Sequence, residues 1–476
     1  MYASLVKSRF LSRAGSYLGI ALMLGLASPL LTAGEAAQHL AEAVRFKTIS
    51  HQDLELVERD EFLGLHDYLR ATYPRSFAAM DVEIVNELSL LLVWRGVDAA
   101  RKPILFTAHM DVVPVEPGTE DEWTHPAFDG VIADGYVYGR GTLDDKVGVI
   151  SLLEASERLL EEGFTPARTV AFAFGHDEEV SGAAGAAQLA LRMQALGLHF
   201  EWMVDEGGLV LSGSDQAGGR DLAMINVAEK TYYTLRLTAV GEGGHSSMPP
   251  PHTSVGKLAA ALARIENSPF EARLEEPVRS MVERLAEYAE FPNSLAMSNL
   301  WLADWLVVGA MEKSRDTNAM VRTTTAVTMF NGGVKENVIP QKAEAYVNFR
   351  LIPGDTPDMV RQRIIELVDD PDITVEATID QPDTPPVADI EGGGFEVISS
   401  AVSAVYPEAV VVPSLLNGAT DTRHYIDLAD NHYRFHGVAI TQADTAGIHG
   451  TDEKVRVESF EKAVDVAAQM IRRGGQ

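Results

Sequence analysis

Four short apolar runs of this chain each stop at a polar cluster. They are SLLLVWRG (89–96), KPILFTAHMD (102–111), TVAFAFGHDEE (169–179) and FEWMVDEGG (200–208). Their length and composition suit buried strands. Between the second and third, KVGVISLLEASERLLEEG (146–163) sets Val149, Leu152, Leu153, Leu159 and Leu160 mostly on one helical face. Strand, helix, strand implies an α/β fold with a mixed, largely parallel sheet flanked by helices. In such sheets ligands gather at the carboxyl ends of the strands. Each polar cluster falls at such an end.

From about residue 227 the pattern changes. YYTLRLTAVG (232–241) alternates as a half-exposed antiparallel strand does, and AEAYVNFRLIPG (343–354) looks like its partner. Helical stretches at 253–266 and 275–290 lie between them. This reads as a smaller α+β domain, 227–382, inserted between two parts of the first, 39–226 and 383–476. A Pro/Asp/Gly-rich connector, DQPDTPPVADIEGGG (380–394), follows it. At the N-terminus Lys7, Arg9 and Arg13 precede a stretch from Ala14 to Gly34 without a charged residue. Residues 1–38 therefore read as a signal peptide or a single membrane anchor, and either would export the rest.

The formal net charge of −30 excludes nucleic acid and anionic membrane surfaces as partners, since both would be repelled. The absence of cysteine removes disulfides, thiolate ligands and a Cys nucleophile together. No Gly-x-Ser-x-Gly elbow is present to support a serine hydrolase. What remains is a set of acids and imidazoles. His109 and Asp111 are two apart and would face one side of a strand. Asp144 and Asp145 open a helix beside unpaired backbone N–H groups. Glu178 and Glu179 would point to opposite sides if extended, Asp205 and Glu206 end the fourth run, and His449 lies in AGIHGTDEKV. Adjacent glutamates are costly to bury unless a cation or a shared proton compensates them. Imidazole and carboxylate without sulfur suit zinc, cobalt or manganese in a catalytic site. Separately, SNLWLADWLVVGAMEKS (298–314) carries Trp301, Leu302, Trp305, Leu306, Val308 and Met311 on a broad apolar face. It reads either as domain core or dimer surface, or as an apolar wall for a fatty-acyl or bulky side chain.

The ordered motifs GRGTLDDK, GHDEE, VDEGG, RTTTA, NVIP and IHG resemble those of one family, over about residues 40–470. It is the co-catalytic zinc metallopeptidase and amidohydrolase family of carboxypeptidase S, glutamate carboxypeptidase, aminoacylase and the ArgE/DapE deacylases. The motifs are most similar to those of carboxypeptidase S and the secreted N-fatty-acyl-amino-acid synthase/hydrolase. The resemblance implies two divalent metal ions bridged by Asp144. His109 and Asp205 would complete one site, and Glu179 and His449 the other. Asp111 would orient His109, Glu178 would be the general base, and the Asp144–Asp145 peptide would be cis. His245, in GEGGHSSMPP, would stabilise the oxyanion, often across a dimer formed through the inserted domain. Asn337, Arg350, Asp421 and Arg423 would bind substrate, the arginines clamping its carboxylate. The chain has NGATD where relatives more often have GGTD, which leaves the Asp and Arg in place. The implied reaction is hydrolysis of an amide beside a free carboxylate, in a peptide as for carboxypeptidase S, or in an N-acyl amino acid. A non-catalytic relative would have lost ligands or the base, and none is missing here.

Overall fold

The computed structural model describes residues 34–378 and 385–476. The segment expected to hold a leader lies outside them up to residue 33, as does the boundary expected at 382/383. The helix Glu35–Val44 buries Ala37, Leu40, Ala41, Ala43 and Val44, and packs on the helix Lys146–Glu161. Among the described residues no helix is long and apolar enough to cross a membrane.

All four apolar runs are strands. Val170–Gly175, Ile104–His109, Trp202–Asp205 and His432–Arg434 lie side by side and parallel at the centre of a mixed sheet. Ser89–Trp94 joins antiparallel on one side, with Asp81–Val85 beyond it. Arg220–Glu229 joins antiparallel on the other and pairs with Val210–Ser214 and, in parallel, with Val410–Leu416. Every residue of Ile104–His109 and Val170–Gly175 is buried, because helices cover both faces. Lys146–Glu161, Gly393–Val405 and Val457–Gly474 pack on one face, and Ala186–Ala195 on the other. The central strands therefore deliver their carboxyl ends to one rim, where the polar clusters meet.

A separate antiparallel sheet has the order Thr324–Gly332, Lys342–Leu351, Thr231–Val240 and Ile373–Ala377. Its inner face, including Leu235, Leu237, Val347 and Phe349, is covered by the helices Ser254–Glu266 and Pro357–Val368. The intervening helices behave differently. Val278–Leu285 packs on the strand Val410–Leu416 of the large sheet, and Leu300–Met311 joins the same apolar cluster through Leu300, Val307 and Met311. The chain passes between the two sheets at Lys230, a fully buried lysine. Its Nζ donates to the carbonyl oxygens of Ala319 (2.8 Å) and Arg322 (3.0 Å). Leu300–Met311 is apolar on nearly every side, so packing one face leaves another outward. Trp301, Leu302, Trp305 and Leu306 are 82%, 64%, 67% and 48% exposed.

Candidate metal centre

His109 closes its strand, and its Nδ1 lies 3.0 Å from the main-chain oxygen and 3.3 Å from Oδ1 of Asp111. That contact leaves Nε2 to face the rim. Nε2 lies 3.0 Å from Asp144 Oδ1, while Nε2 of His449 lies 3.0 Å from Asp144 Oδ2. One carboxylate is thus shared by two imidazoles, one on each oxygen. His449 also approaches Glu179 at 3.1 Å and adopts a positive φ of 57° that aims its ring inward. The Asp144–Asp145 peptide is cis, as the resemblance implied.

Glu178 and Glu179 do not continue the strand. They open a single 3-10 turn, Glu178–Val180, whose N–H groups donate to Oδ1 and Oδ2 of Asp111, both at 3.2 Å. Asp111 therefore fixes both His109 and the glutamate turn. The turn, not strand alternation, sends Glu179 to His449 while Glu178 lines the same cavity.

Asp205, expected beside His109 in one metal site, accepts at Oδ1 from Thr107 Oγ1 (2.6 Å) and at Oδ2 from Thr422 Oγ1 (2.7 Å). Glu206 is the group that faces the cluster, 3.5 Å from His109 Nε2. Consecutive residues at a strand end point to opposite sides, so only one of the two can reach the site. The alternation along WMVDE could have shown this in the sequence. His436, which lines the cavity, was also missed. It follows its strand as a lone imidazole in RFHG, with no acid near it in sequence to mark it.

The electrostatics match a site made for cations. Burial opposes charging Asp144, but hydrogen bonds from His109 and His449 outweigh it and hold its carboxyl below the ordinary range. His449 is raised to about 10 by Asp144 and Glu179. Burial, then Asp144, pushes Glu206 up to about 8. Burial, then Glu206 and Asp421, holds Glu178 well above its usual value. So many acids around two imidazoles are strained as a bare cluster, and divalent cations relieve that strain. The donor atoms of His109, Asp144 and Glu179 lie within 4.8 Å of one another, as do those of His109, Asp145 and Glu206. The residues fit a metal site of nitrogen and oxygen ligands.

The remaining expected residues fall into two places. Asp421 is buried with Oδ1 unpaired among the described residues, and Arg423 stands 4.0 Å from it. Arg350 stacks on Tyr232, its register partner, with 4.7 Å from guanidinium to ring centroid. It makes no ion pair among the described residues. Burial, with the nearby Arg423 adding to it, pulls its pKa down. Glu178 is among the groups that it feels. His245 and Asn337 sit together elsewhere. His245 is exposed, its Nδ1 accepting from the Ser247 N–H at 3.1 Å, and the Ser246 N–H donates to the Asn337 oxygen. Neither lines the cavity.

That cavity, of about 280 Å³, has the ligand groups on one side. Leu143, Leu209, Leu416, Val438, Ile440 and Ile448 form the rest of its wall, with Gly207, Gly208 and Gly418. A Cβ at Gly208 would lie 2.1 Å from the Arg434 oxygen, so glycine is required there. None of the 298–314 residues is among those that line the cavity.

An α/β sheet covered by helices on both faces, with His, Asp and Glu converging at its rim, defines a metal-dependent hydrolase. The chain belongs to Peptidase family M20/M25/M40, which it matches over residues 105–473. It is 35% identical over 442 residues to a probable carboxypeptidase S-like protein of Dictyostelium discoideum, covering 92% of this chain and 85% of that one. It is 37% identical over 441 residues to the Bos taurus N-fatty-acyl-amino acid synthase/hydrolase, covering 91% and 87%. Its fold is similar to that of an M20 family metallo-carboxypeptidase of Sulfolobus solfataricus, with TM-score 0.66, 17% identity, and 93% and 99% of the two chains covered.

Proposed function

We propose that this protein hydrolyses an amide whose leaving amine bears a free carboxylate, with two divalent ions, zinc or else cobalt or manganese, held around Asp144. His109 and Glu206 would hold one ion, and Glu179 and His449 the other. The observation that carries this reading is the sharing of Asp144, whose two oxygens face two different imidazoles. Bound there, the ions would supply Lewis acidity and lower the pKa of water. Glu178 would take a proton from water and return it to the departing amine, a transfer typically worth about 10²–10⁴-fold. Asp111 keeps Nε2 of His109 turned to the site. Arg350 and Arg423, close enough for one to feel the other's charge, would bind the substrate carboxylate. His245 and Asn337 would act from the inserted unit, proposed as a lid over residues 227–382, or from that of a second copy.

The peptide reading follows the carboxypeptidase S-like relative. The cavity wall favours the second reading, an N-acyl amino acid. It holds no lysine or arginine among the described residues, and no carboxylate beyond the proposed ligands and base to pair with a free ammonium. An uncharged acyl group would fit it better. The test is release of free amino acid from a blocked dipeptide and from an N-oleoyl amino acid, with zinc or cobalt restored, beside a Glu178→Ala control. Activity on neither by metal-loaded wild type would refute the hydrolase reading.

A further inference from the structure

The structure assigns to His436 a positioning role in the metal centre: its imidazole holds the Asp145 carboxylate, and through it the main chain of His109. The inference rests on the metal reading above and extends it to a residue outside the proposed ligands.

His436 follows the central strand His432–Arg434, and its N–H donates to the Gly208 oxygen at 2.9 Å. Its backbone is thereby tied to the loop that carries Glu206. Its Nδ1 lies 3.2 Å from Asp145 Oδ1. The other oxygen of Asp145, Oδ2, accepts the N–H of His109 at 3.1 Å. Asp145 is completely buried, and Oδ1 has no partner among the described residues other than this imidazole. Behind the pair stands Gly148, in the first turn of Lys146–Glu161. A Cβ at that position would lie 2.7 Å from both His436 Nε2 and Asp145 Oδ1. The ring, the carboxylate and the helix turn are therefore in close contact, and the ring cannot retreat.

A buried carboxylate beside Asp144 and Glu206 has reason to rotate away or take up a proton. Nδ1 of His436 is the imidazole nitrogen placed to pair Oδ1, at 3.2 Å though not aligned as a hydrogen bond, and its N–H turned toward that oxygen leaves Oδ2 on the His109 amide. Without it, the end of the His109 strand loses a fixed acceptor, and the ring that must meet the metal loses its alignment. Partners of this outer kind typically matter about 10–100-fold in metal affinity.

The test measures zinc and cobalt affinity of the full chain by competition with a chelating dye, together with the melting temperature of the metal-free protein. His436→Phe keeps the ring volume without an N–H, and His436→Asn returns an N–H near the Nδ1 position. Gly148→Ala presses on the pair from behind. The expected result is a 10–100-fold weaker affinity for His436→Phe and Gly148→Ala, with most of it recovered in His436→Asn, at similar metal-free melting temperatures. Wild-type affinity in His436→Phe would overturn the assignment, and so would equal weakening by Phe and Asn. Failure of the wild type to bind either ion would instead defeat the metal reading itself.

Discussion

Exchanging the acidity of Asp205 and Glu206 separates a structural carboxylate from a metal-binding one. Asp205 accepts two hydroxyl hydrogen bonds, at 2.6 and 2.7 Å, in a fully enclosed position. A hydrogen bond to a charged group contributes about 1.5–3 kcal/mol, so Asp205→Ala should destabilise the fold by about 3–6 kcal/mol. Asp205→Asn keeps one acceptor and should cost about 1–3 kcal/mol. Glu206→Gln leaves Thr107 and Thr422 paired and removes a buried acid that burial, then repulsion from Asp144, raises to about 8. The metal-free protein should then melt no lower than wild type. Its metal affinity should fall by more than the roughly 10–100-fold typical of an outer partner. Urea titration of the metal-free variants measures the first set of effects, and chelator competition measures the second. The reasoning fails if Asp205→Asn loses a metal ion at unchanged stability while Glu206→Gln binds two.

Glu178→Gln should lower kcat by about 10²–10⁴-fold while metal affinity, read by the same competition, stays near wild type. Arg350→Met should raise KM for a substrate with a free carboxylate by about tenfold or more and leave its carboxamide analogue unaffected, a difference that steady-state kinetics resolves. Burial, with Arg434 nearby, holds His432 down to about 4. Its folded pKa lies below the ordinary 6.5, so the unfolded chain binds the extra proton. The stability involved is present above about pH 6.5 and lost as pH falls toward 4, by up to about 3 kcal/mol. Urea midpoints should drop less over that window in His432→Gln than in wild type. Of the five tryptophans, Trp94, Trp123 and Trp202 are buried and Trp301 and Trp305 exposed. Acrylamide should quench two populations of fluorescence, and the Trp301→Phe/Trp305→Phe pair should remove the accessible one.

The central strands and the helix after Asp144 were legible because burial on both faces writes an uninterrupted apolar run. His109, Asp144, Glu179 and His449 were legible as motifs, and the structure brings them together. Strand alternation sets Asp205 and Glu206 on opposite sides, but which neighbours each would meet, Thr107 and Thr422 or His109, depends on residues distant in the chain. Apolar patterning showed that the 298–314 segment must bury one face, but not that it would join the apolar cluster on Val410–Leu416 of the large sheet. A helix stripe specifies burial and does not name the surface that provides it. His436 and Asp145 were hidden for a related reason: the pair exists only when a strand from the C-terminal part of the chain lies beside one from the first.

Lys230 and the helices Val278–Leu285 and Leu300–Met311 have a mechanical consequence. A unit inserted into another domain is ordinarily joined by two neighbouring strands, and these act as an axle about which it can swing. Here the first crossing is pinned by Lys230 to the Ala319 and Arg322 carbonyls, and the helices brace the insert against the large sheet as a third support. Movement of the insert relative to the large sheet would therefore have to disturb the packing of Val278–Leu285 on Val410–Leu416, and not the strand crossing alone.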